Sequence, residues 1–171
     1  MSYRPVQIAN EIIARFGAAG DISPMKLQKL LYFANGWYLA LRGEDLINER
    51  PQVWRYGPVF KSAYRTFNKY GSSPITSPEP ASPFGGAPDM VENIDQQLEQ
   101  YLNWVWSEYG HKSGPALSDE THRVGTPWQQ IAQSSGYVVP ENTVIPAQAD
   151  HEYFSSLARQ RGYQPAALTQ A

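Results

Sequence analysis

Three histidines, His111, His122 and His151, are the residues of this chain best suited to proton transfer or to holding a soft metal ion. None belongs to an H-E-x-x-H pattern, and with no cysteines in the chain a thiolate zinc site, a cysteine nucleophile and a disulfide framework are all excluded. Asp150-His151-Glu152 has the donor types to chelate a cation, but a solvated helix start accounts for the same three residues. No metal and no cofactor is therefore expected. His122, flanked by Thr121 and Arg123 and followed by the corner Thr126-Pro127-Trp128, is the one histidine in a setting where a general base, helped by a nearby carboxylate, is worth weighing. The plainer account is a half-buried imidazole hydrogen-bonded to the backbone. Neither a G-x-S-x-G turn nor a phosphate-binding glycine loop occurs. The carboxylate pairs Glu44-Asp45 and Asp119-Glu120 sit in polar turns, where exposed acids are ordinary. No catalytic residue is assigned.

What stands out is aromatic. Five Trp, eleven Tyr and six Phe make up 13% of the 171 residues. Tyr32, Trp37, Trp54, Tyr56, Tyr64, Phe67 and Trp128 suit the core of a small helical domain. Trp54-Arg55-Tyr56, however, puts side by side the three residue types most enriched where proteins grip one another. Recognition of a protein surface fits this set better than chemistry does.

The elements that must position these residues are mostly helices. Val6, Ala9, Ile12, Ile13 and Phe16 recur at helical spacing over 5–16, and Gly17 and Gly20 end that helix. Ser23-Pro24 supplies a cap and first turn for a helix over 24–42 with a stripe of Leu27, Leu30, Leu31, Ala34, Tyr38 and Leu41, closed by Gly43. Tyr32, Phe33, Asn35 and Trp37 lie off that stripe, so this helix needs partners on most sides. Residues 46–56 read as extended, with a small hairpin, and Gly57-Pro58 as the start of a helix carrying Val59, Ala63, Phe67 and Tyr70 to Gly71. The Pro/Ser/Gly tract 72–88 reads as a flexible loop that buries little. Further helices are expected from Asp95 to Gly110, near 114–123, over 127–134 and over 149–161, with 137–146 extended. The fold class is thus mainly α, a compact single domain over 1–171 of six or seven helices with minor β structure.

The formal net charge of −2 supplies no electrostatic reason for direct nucleic-acid or membrane binding. No stretch is apolar enough to span a bilayer, the N-terminus does not read as a signal peptide, and a cytoplasmic location is expected.

Three ordered blocks, PMKLQKLLYFANGWYLALRG (24–43), VWRYGPVFKSAYRTFNKYG (53–71) and LSDETHRVGTPW (117–128), resemble the Panacea domain of SocA-like antitoxins, also described as phage-associated GepA-like proteins. The resemblance implies a mainly helical domain, not an enzyme, that neutralises a toxin encoded by an adjacent gene through direct binding. One branch of the family implies a variant in which the antitoxin delivers its toxin to a cytoplasmic AAA+ protease. The motif positions carried over are Lys26, Leu27, Gln28, Lys29, Leu30, Leu31 and Tyr32, then Trp54, Tyr56, Gly57, Pro58 and Val59, then Thr121, His122, Pro127 and Trp128. Of these, Leu27, Leu30, Leu31, Tyr32, Gly57, Pro58, Thr121, His122, Pro127 and Trp128 are expected to be structural. Lys26, Lys29, Trp37, Trp54, Arg55 and Tyr56 are expected to be available to a partner. A toxin-neutralising binder leads, ahead of the proteolytic adaptor and of an enzyme with His122 as base.

Overall fold

A computed structural model describes residues 1–169. Among them are seven α-helices and one two-stranded sheet: α1 (Pro5–Phe16), α2 (Pro24–Arg42), β1 (Gln52–Trp54), β2 (Gly57–Val59), α3 (Lys61–Phe67), α4 (Gln96–Tyr109), α5 (Gly114–His122), α6 (Pro127–Ser134) and α7 (Ala147–Gln160). The expected mainly α class holds. Helix starts follow their capping chemistry: Ser23, Asp95, Ser113 and Thr126 each accept a backbone N–H of the first turn, three of them just before a helix with proline in that turn.

The organising element is α2. Every residue from Lys26 to Trp37 is buried, because α1, α3, α4, α5, α7 and β2 all pack around it. A helix enclosed in this way cannot show one apolar stripe; its whole circumference is core. Gly36 permits a close approach, since a Cβ there would sit 2.1 Å from the Phe154 ring of α7. Trp37, which the sequence places toward a partner, is 0% exposed. It donates to the Tyr109 hydroxyl at 2.6 Å and meets Trp104 and Phe154 edge-on.

Three further expectations are corrected. Gly57-Pro58 does not open a helix: it is the start of β2, and α3 begins only at Lys61. Antiparallel register pairs Trp54 with Gly57 and Val53 with Pro58 across the two-residue turn Arg55-Tyr56. Pro58 thus falls opposite Val53 at a position where neither residue donates across the ladder, and Val53 N–H points the other way, to the Thr143 carbonyl at 2.8 Å. The extended segment near Val144 thereby flanks β1 on its second side.

The Pro/Ser/Gly tract is also more attached than its composition suggests. Ile75 is 0% exposed and its N–H donates to the Ile22 carbonyl at 2.8 Å, while the buried Asn10 side chain bonds both backbone groups of Glu79. Phe84 stays out, 97% exposed.

Asp150, expected on a solvated helix start, is instead fully buried. It accepts from Tyr32 Oη at 2.8 Å and pairs with Arg50, which also holds Asp45 and the Ile145 carbonyl. Burial pushes its carboxyl up to about 6, against the opposing pull of Arg50. His151 meets the Ala166 carbonyl at 2.8 Å. These residues are structural ties, and no cluster of metal-ligating side chains occurs among the described residues.

Candidate protein-binding surface

The three sequence blocks converge on the hairpin. Trp128 Nε1 donates to the Trp54 carbonyl at 2.8 Å, Ser118 Oγ to the Tyr56 carbonyl at 2.8 Å, and Lys29 Nζ to the Pro58 carbonyl at 3.1 Å. The Gln28 amide closes a two-way bond with Phe60, accepting from its N–H at 2.8 Å and donating to its carbonyl at 3.2 Å. His122 stands edge-on against Trp128, ring centroids 3.9 Å apart. Thr121 bonds the Ser118 carbonyl, and Thr126 in turn bonds Thr121, fastening the end of α5 to the start of α6 beside Pro127. A two-stranded hairpin is marginal alone. Here three separate parts of the chain clamp its carbonyls.

Gly57 is where the clamp closes. Its φ is +109°, and a Cβ there would lie 2.6 Å from Thr121 Oγ1 and 2.7 Å from Lys29 Cε. With the left-handed residue placed just after the turn, Arg55 and Tyr56 keep negative φ, so bulky side chains can occupy the tip. Tyr56 is 57% exposed, and the Arg55 guanidinium lies over its ring at 5.3 Å. Trp54 is half-buried and meets the ring of Tyr64 edge-on at 4.7 Å. Tyr56 and Tyr64, counted as core candidates by residue type, are therefore surface aromatics held in place by a rigid support.

Lys26 and Lys29 are corrected in the opposite direction. Both are interior, 2% and 1% exposed. Lys26 reaches Asp21 at 3.0 Å and the Gly110 carbonyl at 2.6 Å, with the Trp106 ring at 5.0 Å. Lys29 has one carbonyl acceptor, and burial lowers its ammonium to about 7. Leu27, Leu30, Leu31 and Tyr32 are core as expected. His122 is held below the ordinary histidine range first by burial, with the positive charge of Lys29 acting in the same direction.

Two grooves flank the tip. One, of about 390 Å³, runs between the hairpin and α3 past Met25, Tyr64 and Phe67; the other, of about 720 Å³, runs past Trp128, Ala132, Tyr137 and Val139. Trp54 and Arg55 border both. Sequence reasoning missed Ser118 and Tyr137 and assigned Tyr64 to the core. A lone Ser or Tyr carries no signal until the fold puts it beside the turn.

Residues 27–129 match the family model described as Antitoxin SocA-like, Panacea domain, a span that contains the hairpin and every residue that clamps it. Antitoxin SocA of Caulobacter vibrioides (strain NA1000 / CB15N) is 30% identical over 132 residues, 75% of this chain and 70% of that protein. No solved structure matches the chain. No helix among the described residues is long and apolar enough to cross a membrane. With the family model covering more than half of the sequence, this chain belongs to the SocA-like antitoxin family that carries the Panacea domain.

Proposed function

We propose that this chain is a cytoplasmic antitoxin that neutralises a toxin encoded by an adjacent gene by binding it stoichiometrically, with the hairpin tip Trp54-Arg55-Tyr56 at the centre of the contact. The observation that carries the reading is the clamped turn: an Arg and a Tyr stand in solvent on a backbone fixed by Trp128, Ser118 and Lys29. Preorganised aromatic and guanidinium anchors lose little freedom on binding and suit the centre of a protein interface. Family membership supports the antitoxin role and a non-enzymatic one. Occlusion of the toxin's working surface needs no chemistry from this chain.

The adaptor variant requires a second surface for a AAA+ protease, and the groove along Trp128, Tyr137 and Val139 offers one on the far side of the tip. Co-expression with the neighbouring reading frame tests both. Growth rescue with toxin levels maintained supports occlusion; rescue that vanishes on deleting the protease supports delivery; no rescue contradicts the antitoxin reading.

A further inference from the structure

The groove between the hairpin tip and α3 combines apolar walls from Met25, Trp54, Tyr56, Tyr64 and Phe67 with two cations, Lys29 and Arg55, and no Asp or Glu lines it. Lys29 is the unusual member. It is 1% exposed, donates once, to the Pro58 carbonyl at 3.1 Å, and forms no ion pair among the described residues. An ammonium has three donors, and a buried cation without a counter-charge is costly. The groups around it do not supply one. His122 on α5, lowered by burial, supplies no negative charge and is itself the group that feels Asp119; Arg55 on the hairpin is a cation; Lys26 on α2 is paired with Asp21; Lys61 at the start of α3 bonds Asn142. Gly57, by lacking a Cβ, is what leaves room for the Lys29 head group against the turn.

We propose that this groove receives an acidic side chain of the partner protein, an Asp or Glu next to an apolar residue that packs between Tyr56 and Tyr64, with Lys29 and Arg55 as its counter-charges. The identity of the partner rests on the antitoxin reading; the chemistry rests on the groove alone. A carboxylate in the groove offers Lys29 the counter-charge that the fold withholds. Because burial holds the free ammonium at about 7, binding of a carboxylate near pH 8 is accompanied by uptake of a proton by Lys29.

The test uses the full chain and two small probes of one shape, phenylacetate and its neutral analogue phenylacetamide. They are titrated at pH 8 while the indole N–H resonance of Trp54 is followed. Phenylacetate is expected to bind about tenfold tighter than the amide, the factor a charge-assisted hydrogen bond supplies. Calorimetry in two buffers of different ionisation enthalpy should show proton uptake for the acid and none for the amide. Lys29→Met, shown by a melt to be folded, should lose both the preference and the uptake; Arg55→Ala, at the exposed tip, should reduce the preference. Equal binding of acid and amide, binding of neither, or acid binding without proton uptake overturns the proposal, and none of the three needs a variant. Co-expression rescue judges the antitoxin reading separately: rescue with a groove indifferent to charge leaves that reading standing and removes this one.

Discussion

Gly57 and Lys29 occupy what would be a single space: a Cβ on Gly57 would lie 2.7 Å from Lys29 Cε and 3.1 Å from Nζ, while Nζ holds the carbonyl of the next residue, Pro58. The turn that presents Arg55 and Tyr56 thus depends on a missing side chain and on a buried amine. Each makes its own demand on sequence, and each can be tested.

Gly57→Ala is expected to destabilise the domain by on the order of 2–4 kcal/mol, combining left-handed strain with overlap against Thr121 and Lys29. Urea denaturation checks this. A melt equal to wild type would mean that the turn relaxes freely and is not clamped.

Lys29 should make the domain more stable in mild alkali. Its folded value of about 7 lies below the ordinary 10.5, so the unfolded chain binds more protons between those limits and stability rises with pH across that window. From pH 7 to 9, below the range in which the buried tyrosines ionise, the gain is roughly 2 kcal/mol. Lys29→Met should flatten this rise in a series of denaturation curves. An unchanged slope would show that Lys29 is not the group responsible.

Ile75→Ala is expected to cost about 2–4 kcal/mol, as for a buried aliphatic side chain, whereas Phe84→Ser should change the melting temperature very little. Replacing 74–88 by a short Gly/Ser link should therefore destabilise the domain through loss of Ile75 and of the Asn10–Glu79 bonds. Thermal melts of the three variants decide it. A linker variant as stable as wild type would contradict the anchoring role of Ile75.

Much of this architecture was legible in the sequence, and the failures have identifiable causes. Helix starts at Ser23, Asp95 and Thr126 are readable because capping is local chemistry that needs no tertiary context. Lys26, Lys29 and Trp37 were misplaced because periodicity marks the most apolar face of a helix, and α2 has no outward face. Lysine at i and i+3 ordinarily means solvent; here carbonyls of Gly110 and Pro58 take both head groups inside. Gly57-Pro58 resembled a helix start because proline at N1 and proline in an unpaired hairpin position share the same φ and the same lack of a donor. Ile75 lay hidden in a polar tract, since one apolar residue among Ser and Pro has no period to reveal it. The Trp54-Arg55-Tyr56 segment was visible by residue type alone. Its exposure and its support from Ser118 and Trp128 came only from the fold.

Trp128 and Tyr56, paired by residue type, should separate in experiment. Trp128→Ala removes a buried indole and its bond to Trp54, and a loss of about 3–5 kcal/mol is expected. Tyr56→Ala, at a site 57% exposed, should melt within about 0.5 kcal/mol of wild type. Circular dichroism melts of both variants measure the difference. A Tyr56→Ala protein as damaged as Trp128→Ala would make Tyr56 structural after all.

The most direct test of the account is calorimetric titration of the protein encoded by the neighbouring reading frame, in a form whose toxicity is disabled, with wild type and with folded Arg55→Ala and Tyr56→Ala. The account predicts a stoichiometric complex with wild type and a loss of about 2 kcal/mol or more in binding for at least one tip variant, the size expected of a central anchor. A tight complex that neither substitution weakens would contradict the hairpin as the toxin-binding surface, and no complex at all would contradict the antitoxin role itself.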